Sequence, residues 1–186
     1  MLIFLIVAVV SILFIISIIA MYNTLIVTKN NVKNAYSQIE VQLKRRHDLI
    51  PNLIETVKGY MAHEKDTLES VINARNVASI ISSDAKVQGQ HENMLSGALK
   101  SLFALSENYP DLKANQNFLS LQEELTSTEN RIAFARQFYN DSVMRCNIKK
   151  EVFPSNMIAS AFNFETFFMF EIENPAEKDV VKVNFN

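Results

Sequence analysis

The sequence predicts an all-α protein: an N-terminal transmembrane helix followed by an antiparallel bundle of long helices with an extended aromatic C-terminal tail. Three observations carry this. An uncharged apolar run occupies residues 2–21. Long stretches repeat apolar residues at alternating spacings of three and four, the signature of packed helices. Glycine (3) and proline (4) are scarce among 186 residues, which leaves little turn chemistry for many short strands.

The length suits an anchor plus one domain. A net charge of -2 gives no global field that would favour nucleic acid, so no nucleic-acid partner is expected. The single cysteine, Cys146, excludes an internal disulfide framework and a four-cysteine zinc site.

The run from Leu2 to Met21 is long enough to cross a hydrocarbon core, which takes about 20 helical residues. Leu2, Phe4, Leu5, Val9, Leu13, Ile16 and Ile19 are among its membrane-spanning residues, so lipid is an expected partner. A cleaved signal would need a basic start, a shorter core and a small-residue site, and Ala20-Met21-Tyr22 is a poor one. An uncleaved single-pass anchor over residues 1–26 is therefore expected. Lys29, Lys33, Lys44, Arg45 and Arg46 all follow the span, which places the following domain in the cytoplasm.

The bundle is expected over residues 27–152, with helices near 27–82, 84–108 and 114–151. In the first, Val32, Tyr36, Ile39, Leu43, Ile50, Leu53, Val57 and Tyr60 form a seam of period 3.5, broken only by Arg46. Pro51 removes a backbone donor and disfavours helix at Ile50. The seam keeps its phase across it, which favours one kinked helix over a new one capped by Asp48. Apolar positions continue through Leu68, Val71, Ala78 and Ile81. The second helix has a polar first half, with Gln88 and His91, and then Leu95, Leu99, Leu102 and Leu105. In the third, Phe118, Leu121, Leu125, Thr128, Ile132, Ala135, Tyr139, Ser142 and Cys146 repeat by three and four. Glu40–Lys44 and Asp141–Arg145 add about 0.2–0.5 kcal/mol each.

Residues 153–186 differ in character. Ser155 is placed to cap a short helix through Ala161. Phe162, Phe164, Phe167, Phe168 and Phe170 then crowd together, as a cap on the bundle or as an oligomer, partner or membrane contact. Val181, Val183 and Phe185 alternate like a strand. With no partner strand evident, an extended arm along the bundle is expected.

The run from Tyr22 to Tyr60, YNTLIVTKNNVKNAYSQIEVQLKRRHDLIPNLIETVKGY, resembles the LemA family. So do YPDLKANQNFLSLQEELTSTENRIAFARQFYNDSV and FPSNMIASAFNFETFF, and the three blocks come in the family's order. The resemblance implies a membrane-anchored antiparallel bundle of bacteria, hence the bacterial inner membrane, with no agreed enzymatic activity. A relative in magnetosome-forming bacteria implies a membrane-organising role. Some relatives carry a lipoprotein cysteine before the YN pair; here Met21 stands there, so no lipid attachment is implied.

Chemistry is sparse. His47-Asp48, His63-Glu64 and His91-Glu92 lack the zincin spacing, and neighbours on a helix point apart. Solvated helix faces are expected for all three, with no metal, no cofactor and no catalytic residue. Cys146 on its seam is expected to be a packed thiol. Lys44-Arg45-Arg46 is open to three readings: a solvated face, salt bridges with Glu55 or acids of the third helix, or an anionic-lipid contact. Arg45 lies about 36 Å from Met21 along a straight helix, beyond reach of the anchor's own bilayer surface. Arg46 and Pro51, which break local rules, are the residues expected to set register. The expected function is a non-enzymatic scaffold that forms homo-oligomers and organises the membrane or its proteins. The alternative is an adaptor for another membrane protein, such as a protease or sensor.

Overall fold

The computed structural model describes residues 1–82 and 84–170. The elements run α1 (Leu2–Lys58), α2 (Lys65–Ala78), α3 (Ala85–Ser106), α4 (Pro110–Lys113), α5 (Gln116–Glu151) and α6 (Ser155–Ala161). No strand occurs among the described residues. The alternating pattern at residues 181–185 lies outside them.

α1 is one helix of 57 residues with no glycine, and it runs through Pro51 without a break. It ends at Gly59, the chain's first glycine and a residue that weakens helix by about 1 kcal/mol relative to alanine. There Tyr60 and Met61 both donate to the Val57 carbonyl at 2.9 Å, closing the last turn. The helix expected over residues 27–82 is therefore two helices, α1 and α2, separated by residues 59–64. Val57 and buried Met61 keep helical spacing through the turn, which hides the break from the periodicity. The start of α3 agrees with the sequence: Asp84 accepts from the Lys86 amide at 2.8 Å. At α5, Asn115 accepts from the amides of Asn117 and Phe118.

The chain forms two compact units. The first holds residues 1–45 and 127–169. In it α1 and α5 run antiparallel: the Tyr36 and Tyr139 rings lie 5.5 Å apart, while Met21 and Leu25 share a groove with Val152 and Ser155. Val32, Ile39, Leu43, Ile132, Val143 and Cys146 are buried there. α6 turns back so that Ile158 and Ala159 pack on Leu25, beside Ile18, Met21 and Tyr22. Ser155 does not cap α6; its hydroxyl donates to the carbonyls of Lys149 (2.6 Å) and Val152 (3.0 Å).

Of the described residues, the second unit contains 46–126 and Phe170. α2 and α3 form an antiparallel hairpin. Gln88 at the start of α3 donates to Ala78 at the end of α2 (3.0 Å), and Tyr109 beyond α3 donates to Glu64 before α2 (2.9 Å). With the last part of α1 and the first part of α5 they enclose one core, which includes Leu53, Val57, Val71, Leu95, Leu102 and Phe118. Leu112 of α4 closes it.

Candidate functional site

A polar cluster interrupts the apolar seams of the second unit. Arg46 and Glu92, 1% and 0% exposed, face each other with Arg46 Nη2 3.7 Å from Glu92 Oε2. The same nitrogen donates to the Ser96 hydroxyl (2.9 Å) and to the Glu92 carbonyl (3.2 Å). His47 Nε2 lies 2.9 Å from Glu92 Oε1, which also accepts from Gln88 Nε2 at 3.0 Å. Gln88 Oε1 accepts from the Ser82 amide, so the turn between α2 and α3 is tied to the same residue. A buried carboxylate is tolerable only when paired and hydrogen-bonded, and Glu92 has both.

Pro51 belongs to this cluster. Its missing N–H is the donor that His47 O would receive within α1. That carbonyl instead accepts from Arg75 Nε of α2 at 3.3 Å. The proline thus converts an intrahelical acceptor into a bond between helices. The junction links α1, α2 and α3 through side chains. Its carboxylate, imidazole and guanidinium are buried.

Of the sequence candidates, Arg46 is buried with an acidic partner, Glu92 of α3. Lys44 and Arg45 are exposed. The three His–acid pairs do not all face solvent as expected. His63 is exposed and His91 half-buried, while His47 is buried against the acid that follows His91. Adjacent residues on a helix diverge, so each pair splits between faces. Cys146 is a buried thiol. Among the described residues, no group of three or more His, Cys, Asp or Glu converges. Gln88, Glu92, Ser96 and Arg75 went unrecognised in the sequence. Gln88, Glu92, Leu95, Leu99, Leu102 and Ser106 alternate by four and three, so polar residues in a second seam were the available signal.

The phenylalanines do not form one patch. Phe162 is exposed and stacks 4.8 Å from Tyr22; Phe164 is half-buried beside Tyr22 and under Lys29 Nζ. The carbonyls of Phe167 and Phe168 accept from Asn147 and Tyr139, which lays this strap along α5. Phe170 is buried. The bare apolar surface lies elsewhere on the first unit. Phe134 and Phe138, 72% and 51% exposed, line a groove of about 560 Å³ with Ser37 and Val41 of α1.

Leu2, Phe4, Leu5, Val9, Leu13, Ile16 and Ile19 are exposed, as is every residue from 1 to 16, so α1 is bare on all sides there. The Ser11 hydroxyl in this stretch donates back to Val7 O at 2.9 Å, as a polar group in hydrocarbon requires. Such a helix fits lipid and not water. The protein is membrane-associated.

The LemA family's sequence profile matches residues 35–185. The chain belongs to the LemA family. It is 26% identical over 158 residues to Protein LemA of Metamycoplasma hominis, covering 85% of this chain and 72% of that protein. It is 23% identical over 188 residues to Magnetosome protein MamQ 2 of Paramagnetospirillum magneticum, covering 88% and 69%. Magnetosome protein MamQ of Magnetospirillum gryphiswaldense is similar at 22% identity. The matched region of this LemA-family chain takes in the buried junction, the bare groove and α6.

Proposed function

We propose that this LemA-family chain is a non-enzymatic scaffold of the bacterial inner membrane, anchored by the apolar part of α1 with its bundle in the cytoplasm. It self-associates there and organises lipid or membrane proteins. The observation that carries this is the bare Phe134–Phe138–Val41 groove. Contiguous exposed apolar surface usually marks an interaction site. The occupant we favour is a second copy of this chain. Copies anchored in one bilayer stand parallel, so each presents the same apolar band at the same height. The likeness to proteins named for the magnetosome, a cellular assembly, supports an organising role.

Crosslinking through Phe134→Cys in native membranes tests this, in a Cys146→Ala background and at native expression. Dimers or larger species are expected. Monomers alone would sink self-association, and a crosslink to a different membrane protein would favour an adaptor. Impermeant thiol labelling of the same variant in right-side-out and inverted vesicles checks the side; labelling from outside overturns the cytoplasmic placement.

A further inference from the structure

The elbow joining α5 to α6 carries an exposed apolar cluster that neither the buried junction nor the bare groove uses. Phe153 and Met157 are 79% and 65% exposed; Val152 is exposed next to Phe153 in sequence, and Phe162 is exposed at the end of α6. Single exposed apolar side chains are ordinary, but four within eleven residues are not scattered.

Their height along α1 gives them meaning. The uncharged run from Leu2 to Met21 is 20 residues, about 30 Å of helix, which matches one hydrocarbon core. Its inner end therefore lies near Met21. α6 packs against that point: Ile158 and Ala159 contact Leu25, with Ile18, Met21 and Tyr22 around them. A groove of about 310 Å³ separates Ser17, Met21 and Thr24 of α1 from Lys149, Phe153 and Ser155 of the elbow. The elbow thus continues the apolar surface of the anchor at the level where acyl chains give way to headgroups. Lys149 and Lys150 stand in the last turn of α5, close to the end of the apolar run, where a lysine can reach lipid phosphates. Lys150 donates to Thr166, and Glu151 offsets part of the charge, so the apolar side chains supply most of the affinity.

We infer that the α5–α6 elbow is a second membrane contact, an interfacial wedge that places Phe153, Met157 and Phe162 at the headgroup–acyl boundary of the bilayer holding α1. Aromatic and long apolar side chains gain most there, and a lysine beside them reaches back to the phosphates. A helix anchored at one point is free to rotate about its axis. A second contact on α5 removes that freedom and fixes which way the Phe134–Phe138 face points. The inference rests on α1 being inserted.

The test uses the full chain in lipid nanodiscs, in a Cys146→Ala background, with one spin label per variant. Labels go at Leu13→Cys in the span, Phe153→Cys and Met157→Cys in the elbow, and Gln137→Cys on exposed α5. Collision with oxygen reports lipid, and collision with a nickel chelate reports water. A shift to the lipid side is expected at residues 13, 153 and 157, with residue 137 water-like. A lipid-like residue 13 with residues 153 and 157 matching residue 137 overturns the wedge and leaves the anchor standing. A water-like residue 13 overturns the anchor, and the wedge with it.

Discussion

Removing the Glu92 carboxylate while leaving Arg46 in place is the perturbation that the buried junction should tolerate least. In Glu92→Leu the guanidinium keeps Ser96 and the backbone carbonyl of residue 92 but loses the anion 3.7 Å away. With an effective dielectric of about 20, that attraction is roughly 4.5 kcal/mol before desolvation is counted. His47 Nε2 also loses its partner, at about 1–3 kcal/mol, whereas Gln88 keeps Ala78 O. Breaking one side of a buried pair costs about 3–5 kcal/mol in practice. We therefore expect Glu92→Leu to lose about 4 kcal/mol. Arg46→Met should lose somewhat less, because Glu92 retains His47 and Gln88. The double variant should lose less than the sum, with a coupling of about 1–3 kcal/mol. Urea unfolding of the detergent-solubilised chain, followed by far-ultraviolet circular dichroism, measures all four corners of the cycle. Additivity within about 0.5 kcal/mol would refute the pair as a unit. An Arg46→Met protein of unchanged stability and particle size would refute its role in setting register.

Pro51→Ala restores the N–H that competes for His47 O, so Arg75→Ala should cost less in that background than in the wild type; equal costs in the two backgrounds contradict the exchange of acceptors. Tyr109 holds its proton above the usual value of 10 because it donates to Glu64, with partial burial and the Glu64 charge adding to the effect. Above pH 10 the folded chain thus binds more protons than the unfolded one, so stability from this bond is complete below that pH and is lost as pH climbs through the raised value. Tyr109→Phe should remove that alkaline slope from the urea midpoint; identical slopes in the two proteins rule the contribution out. Leu53→Ala opens a void in the shared core of the second unit and should lose about 2–5 kcal/mol by the same assay, whereas a loss below about 1 kcal/mol means the core has collapsed around it.

The helices were legible because burial imposes a period, and the period does not depend on what the partner is. Ile39, Leu43, Ile50, Ile132 and Cys146 are buried where the spacing places them. What the period cannot report is where a helix stops when the next keeps its phase. That is why the turn at residues 59–64 was invisible, although Gly59 marked it. Partner choice was equally hidden. Arg46 stood out as a charge in a seam, but naming Glu92 required knowing that α3 packs against that turn. The counterpart was present in the α3 heptad and passed for a solvated start to that helix. The phenylalanine-rich tail misled for a related reason. Sequence density suggested one patch, but the strap donates and accepts along α5 through its backbone, so its rings diverge.

The two rule-breaking residues of α1 acquire one explanation from this. α1 has 57 residues and no glycine or turn at which an error of register could be corrected. A purely apolar seam is a weak guide to register, since leucine and isoleucine tolerate sliding by a heptad. A charge that finds its counter-charge in only one alignment is a strong guide, because every other alignment leaves it buried and unpaired. Arg46, buried against Glu92 of α3, is where we expect that penalty, and the Pro51–Arg75 exchange is where we expect a second. The junction therefore need not add net stability over an apolar core to be useful. It has only to make the misaligned states worse, which particle size reports and the unfolding cycle does not.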